Sequence, residues 1–146
     1  MSQFHLVPLA MLVTALLSAP ALAVAPTPAV KIDSAVFVER ASESNRVLQP
    51  ADQLRRGDRV VTVVSWQRAV GGGTFTVTNP LPRSLQFQGS ADQSEEVSID
   101  GGHHWGHLGD LRIGNRQATP EDVTHVRWHI ATPAPSGRIA YSAIVR

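Results

Sequence analysis

The chain has 146 residues, of which 42% are hydrophobic and only 5% aromatic. Thirteen basic and 12 acidic side chains leave a formal charge of +1, so the overall balance gives no electrostatic pull toward nucleic acid or an anionic membrane. There is no cysteine, which excludes a disulfide framework, a thiol nucleophile, cysteinyl zinc sites and a thioether lipid anchor.

The first segment is set apart by its composition. Leu6 to Leu17 is almost wholly apolar, and Ser18-Ala19-Pro20-Ala21-Leu22-Ala23 follows. That is the h-region and small-x-small ending of an export signal, with cleavage expected after Ala23. The apolar run contains Pro8 and falls short of the roughly 20 residues that a spanning helix needs. No Asp, Glu, Lys or Arg precedes Lys31. Residues 1–23 therefore read as a signal peptide, residues 24–30 (VAPTPAV) as an extended Pro/Ala linker, and residues 31–146 as one folded domain. A periplasmic or extracellular location follows, with no integral membrane span once the signal is removed.

From there the hydrophobic pattern has period two, the mark of half-buried antiparallel strands. Ala35 to Arg40 and Val60 to Trp66 are the most continuously apolar runs, as expected of strands covered on both sides or at a sheet centre. Thr74 to Thr78 alternates cleanly, Leu85 and Phe87 alternate with Gln86 and Gln88, and Val97 and Ile99 alternate with Glu96 and Ser98. Leu108 to Ile113 offers a short eighth run. Thr119-Pro120-Glu121-Asp122 combines a cap residue, a first-turn proline and two acids, which suits a single helical turn. Val126, Trp128 and Ile130 then share one face while His125, Arg127 and His129 share the other, and Ile139, Tyr141, Ala143 and Val145 complete the last run. Turn residues fall between the runs, notably Arg56-Gly57-Asp58, Gly71-Gly72-Gly73, Asn79-Pro80-Leu81-Pro82 and Asp100-Gly101-Gly102. About seven strands in one domain predict an all-β immunoglobulin-like antiparallel sandwich, with a small β-barrel as the alternative closure.

Some of these residues carry a resemblance. Gly57-Asp58-Arg59-Val60 entering a strand, Thr76-Val77-Thr78-Asn79-Pro80-Leu81-Pro82 and then Leu85-Gln86-Phe87 are similar to a bacterial conserved-repeat domain of unknown function, the eleventh so catalogued. Val97-Ser98-Ile99-Asp100-Gly101-Gly102 and Asp122 to Trp128 resemble its secreted alphaproteobacterial subgroup. Arg56, Thr62 and Asn79 stand where that pattern has Pro, Tyr and Asp. The resemblance implies an immunoglobulin-like module of cell-surface or envelope proteins, with no catalytic residue to carry over.

Four features invite a chemical reading. Ser98-Ile99-Asp100-Gly101-Gly102-His103-His104-Trp105 fits the S-x-D-x-G-x-x-W pattern of the Asp-box hairpin, whose single occurrence favours a structural turn over a repeat-built sialidase. Asp100, Gly102, Gly57 and Asp58 are accordingly expected to shape turns. His103, His104 and His107 suggest a metal, yet no cysteine or carboxylate completes a recognised ligand spacing, and no cofactor is expected. Trp66 and Trp128 share parity with apolar neighbours and read as core, which leaves Trp105, His103, His104 and His107 as the surface residues open to a ligand. Arg56-Gly57-Asp58 spells an integrin-recognition tripeptide, but Gly-Asp here introduces a strand. There is no G-x-S-x-G elbow or phosphate-binding loop. The expected function is a secreted, non-enzymatic, structural or interaction module. Its partner is an unidentified envelope or extracellular protein or glycan; carbohydrate binding through Trp105 is the alternative.

Overall fold

The computed structural model describes residues 30–42, 45–69 and 73–146; the expected signal peptide, residues 24–29 of the linker, Gly71 and Gly72 lie outside them. Ten strands and no α-helix form among the described residues. They are β1 (Val30–Ser42), β2 (Asn45–Pro50), β3 (Arg59–Arg68), β4 (Phe75–Pro80), β5 (Leu85–Ser90), β6 (Glu96–Ser98), β7 (Arg112–Ile113), β8 (Arg116–Gln117), β9 (His125–Ile130) and β10 (Ser136–Val145). One sheet has the order β2-β1-β3-β10-β5, the second β4-β9-β6, and β7 and β8 make a short ribbon. Every pairing is antiparallel. The two larger sheets stack as a sandwich, and neither closes on itself as a barrel would.

The core lies where the two sheets face each other. Val60 on β3, Phe87 on β5, Val97 on β6, Val126 and Trp128 on β9 and Tyr141 and Ala143 on β10 are all buried together. Trp128 stacks at 32° on Tyr141 with ring centroids 5.7 Å apart, and Trp66 on β3 meets Phe75 on β4 edge-on at 5.2 Å. Each buried indole removes roughly 200 Å² from water, or roughly 5 kcal/mol of gross burial. These contacts also fix the overlay: β4 lies over β3 and β9 over β10. The Tyr141 hydroxyl accepts from Asn79 Nδ2 at 2.8 Å, and burial pushes its pKa up.

At one end of the sandwich Arg68 fastens the loops. Its buried guanidinium donates to the carbonyls of Ala134 at 2.9 Å and Gly73 at 3.0 Å, and also to Thr132 O. It stands 5.3 Å from the Trp66 ring and 5.4 Å from that of Phe75. Charge-assisted bonds to backbone oxygens help offset the burial of this cation.

Three expectations need correction, and one strand went unexpected. The linker does not reach residue 30, because Val30 pairs with Arg68 as the first residue of β1. Asn45 to Pro50 forms an edge strand that no alternation announces, since all six of its residues are exposed. Leu108 to Ile113 is a 3-10 turn at Leu108–Asp110 followed by the two-residue β7, not a strand. Ala35 to Arg40 is not covered on both sides: it belongs to β1, next to the sheet edge, where Val36 is exposed. Its β-branched residues suit the extended backbone itself. The expected turn at Thr119 is present as a 3-10 turn with a reciprocal capping box between Thr119 and Asp122.

Candidate functional site

The residues singled out around position 100 form one compact loop on the outer face of the β4-β9-β6 sheet. Its organiser is Asp100. One carboxylate oxygen accepts from the Ser98 hydroxyl at 2.8 Å, the His104 N–H at 2.9 Å and the His103 N–H at 3.2 Å. The other accepts from His104 Nδ1 at 2.6 Å. Donors converging on the charged form hold the Asp100 carboxyl well below the usual carboxylate range, the His104 N–H contributing most. Gly101 and Gly102 turn the chain with φ of +79° and +93°, values that side chains with a Cβ adopt at a cost. Gly102 N–H then donates back to Ser98 Oγ at 2.9 Å.

Neighbouring elements lock the loop. Val97 and Gly106 exchange backbone bonds of 2.8 and 3.1 Å, closing the hairpin. Gly101 N–H donates to Thr124 Oγ1 at 3.0 Å, and Thr124 N–H donates to Ser98 O at 2.8 Å. Trp105 Nε1–H donates to Gly102 O at 2.8 Å, so the indole folds back onto its own turn. Among the expected turn residues at the far end, Gly57 has φ +87°. Asp58 accepts from Arg40 at 2.7 Å and from the Arg55 N–H at 2.8 Å, the Arg40 bond chiefly lowering its pKa.

Beside the loop, β9 carries His125, Arg127 and His129 on the outer face. The Arg127 guanidinium lies 4.4 Å from the Trp105 ring centroid, a cation–π contact, and the His125 ring meets the same indole edge-on at 6.2 Å. Glu96, opposite Arg127 in the register, accepts from Arg127 Nε at 2.7 Å and from His129 Nε2 at 3.0 Å. The Arg127 bond is the main reason its pKa is lowered. His129 Nδ1 lies 3.1 Å from the Thr76 hydroxyl.

The structure thus brings together residues the sequence pattern separates. Trp105 joins Arg127, His125 and, through Arg127, Glu96; His103 and His104 turn to Asp100 instead. His103 Nδ1 donates to Asp100 O at 2.6 Å. His107 is exposed and has no side-chain partner among the described residues. No three His, Asp or Glu side chains there converge to hold a metal ion. The Glu96–His129–Thr76 chain has acid, base and hydroxyl in the order of a nucleophile relay. It lies on an open sheet face with its imidazole 59% exposed, where water solvates the base and no backbone donors converge. Glu96 and Thr76 escape sequence reasoning because their contact with His129 needs two long-range registers.

A cleft of about 500 Å³ opens at the loop end, floored by Leu81, Leu85 and Val123 and rimmed by Arg83, Glu121 and Arg146. Arg146 donates to Glu121 O at 2.9 Å, and Gln86 Nε2 donates to the Glu121 carboxylate at 2.8 Å, so the rim is partly bound to itself.

The second feature with functional content is the inner face of the five-stranded sheet. On β3, Val60, Val64 and Trp66 are 0%, 3% and 4% exposed. On β1, Val38 opposite Val60 is buried at 3%, but further along the strand Val36, opposite Thr62, is 40% exposed and Ile32, opposite Trp66, is 47%. Val47 on β2 shares this face and is 44% exposed. The cover that reaches Val38 on β1 does not extend along the strand to Val36 and Ile32.

The chain has no significant match among family models, curated proteins or solved structures.

Proposed function

We propose that the protein is an exported immunoglobulin-like module that works by contact with another polypeptide in the bacterial envelope or outside the cell, without catalysis. The observation that carries this reading is the fall in cover between β3 and β1, which leaves aliphatic side chains of one sheet face open to water. Exposed aliphatic side chains on one face of a sheet are suited to contact with a partner. The apolar segment Leu6–Leu17 and the Ala21-Leu22-Ala23 ending support export. Glycan binding at Trp105 has less behind it, because Arg127 covers the ring and the indole N–H is engaged by Gly102.

A photo-crosslinking residue placed at Val36 in the exporting cell tests the contact. Adducts with polypeptide are expected from position 36 and not from Thr78 on the outer face of the second sheet. Position 36 yielding no adduct would overturn the proposal. Intact mass of the exported chain tests the location, with Val24 expected as the first residue.

A further inference from the structure

We infer that the cleft between β5 and β6 is a binding site for an alkylammonium ligand, whose charge is met by the carboxylate of Glu95. β5 and β2 are the two opposite edges of the five-stranded sheet, so this site stands apart from the β1 face and independently of the contact reading above.

The observation that leads to it is a buried charge with no opposite charge beside it. Glu95 is 9% exposed and is the one Asp or Glu that is buried among the described residues. Four other carboxylates, with side chains between 12% and 27% exposed, each hold an arginine. Glu39 pairs with Arg46 at 2.8 Å, Asp58 with Arg40 at 2.7 Å, Glu96 with Arg127 at 2.7 Å and Asp122 with Arg116 at 2.6 Å. Glu95 is more enclosed than these, yet its partners among the described residues are the two donors of Ser90 alone. Removing a carboxylate from water is costly, and folded proteins place a cation or converging donors where they do so.

The hydrogen bonds of Glu95 do not make up the difference. Its Oε1 accepts from the Ser90 N–H at 3.2 Å, and its Oε2 meets the Ser90 hydroxyl. That same hydroxyl stands 2.8 Å from Asp92 Oδ1, and a hydroxyl has one proton to give. Asp92 has another source, since the Ser94 hydroxyl donates to its Oδ2 at 2.8 Å. Glu95 has no second side-chain donor, so acceptor positions on its carboxylate stay open.

A cleft of about 410 Å³ lies against this residue. Glu95 lines it together with Ser90 and His107, and Phe87, Val97 and Leu108 supply its apolar wall. No Lys or Arg is among the lining residues. β5 and β6 are edge strands of the two larger sheets, so the cleft opens where the sandwich is not closed over by a further strand. A ligand suited to it carries one positive charge with N–H donors for Glu95 and a short apolar chain for Phe87, Val97 and Leu108, which is the chemistry of a primary alkylammonium. A metal ion fits less well, because one carboxylate lines the cleft and no three His, Asp or Glu side chains converge among the described residues.

Titration of the 15N-labelled protein with n-pentylammonium chloride at pH 8, followed by amide chemical shifts, tests the inference. A probe this small is expected to bind with a Kd of roughly 1 mM. Saturable shifts are expected at Gln88 to Ser90, Gln93 to Val97 and Leu108. Pentan-1-ol, with the same chain and no charge, is expected to bind at least about tenfold more weakly, and Glu95→Gln is expected to weaken the amine by a similar factor. The alcohol comparison uses the wild type alone, so it decides the matter even where Glu95→Gln does not fold. Absence of saturable shifts up to about ten times that Kd, shifts confined to other parts of the domain, an alcohol that binds as well as the amine, or a folded Glu95→Gln with unchanged affinity would each overturn it.

Discussion

Among the described glycines, Gly137 leaves the least room for a side chain. It faces Trp66 across the β3–β10 register, and the indole lies over its α-carbon. A Cβ there would stand 2.4 Å from Trp66 Cζ2, 2.7 Å from Cε2 and 3.1 Å from Nε1. The ring cannot retreat, since Phe75 meets it edge-on and Arg68 stands 5.3 Å from its centroid. Overpacking a rigid site costs about 1–3 kcal/mol, and two contacts below 3 Å put Gly137→Ala at the upper end, about 2–3 kcal/mol. For a domain of about 115 residues the unfolding entropy is about 0.24 kcal/mol/K, so Tm should fall by about 8–12 °C. Calorimetric melts of the wild type, Gly137→Ala, Trp66→Leu and the double variant check the cause. The methyl should cost at least about 1 kcal/mol less once the indole is gone, a coupling typical of residues in contact. A Gly137→Ala protein within about 0.5 kcal/mol of wild type, or strictly additive costs, would refute the reasoning.

Replacing Arg68 by Met removes charge-assisted bonds to three loop carbonyls and should cost about 3 kcal/mol by urea denaturation, with earlier proteolysis in the loops around Gly73 and Pro133. Asp100→Asn should loosen the turn, lower Tm by a few degrees and red-shift the Trp105 emission, leaving Trp66 and Trp128 buried. The carboxyls of Asp58 and Asp100 are held below their ordinary range by the bonds they accept. Their stabilisation is therefore complete above the unfolded value of about 4 and is lost as pH falls through the folded values. Denaturation midpoints should be level from neutral pH down to about 5 and drop below about 4, with Asp100→Asn showing a shallower drop.

β3, β4, β5 and β9 could be read from the sequence because each buries one face, and burial writes period two into the residues. Val126, Trp128 and Ile130 are the clearest case, with Trp128 only 1% exposed. β2 left no such mark: an edge strand exposed on all six residues has no inside to alternate with. The apolar run in β1 was legible but its cause was not, because β propensity and burial select the same side chains. The Asp-box loop was legible in outline, since Asp100 and its glycines act within a few residues of one another. Its surroundings were not. Arg127 over Trp105, and Glu96 between Arg127 and His129, depend on pairing β6 with β9 across 31 positions, and no local pattern specifies that register. Nor does any local pattern state that one sheet is two strands wider than the other.

The central claim is that the inner face of β1 is open at Val36 while β3 beside it is covered. The sequence contains no cysteine, so single introduced thiols report on it without interference. Maleimide labelling of Val36→Cys and Val64→Cys, across a dilution series, measures the two positions directly. The account predicts that Val36→Cys reacts nearly as fast as in the unfolded chain, while Val64→Cys stays protected throughout. A Val36→Cys thiol as protected as Val64→Cys at the highest dilution would contradict it.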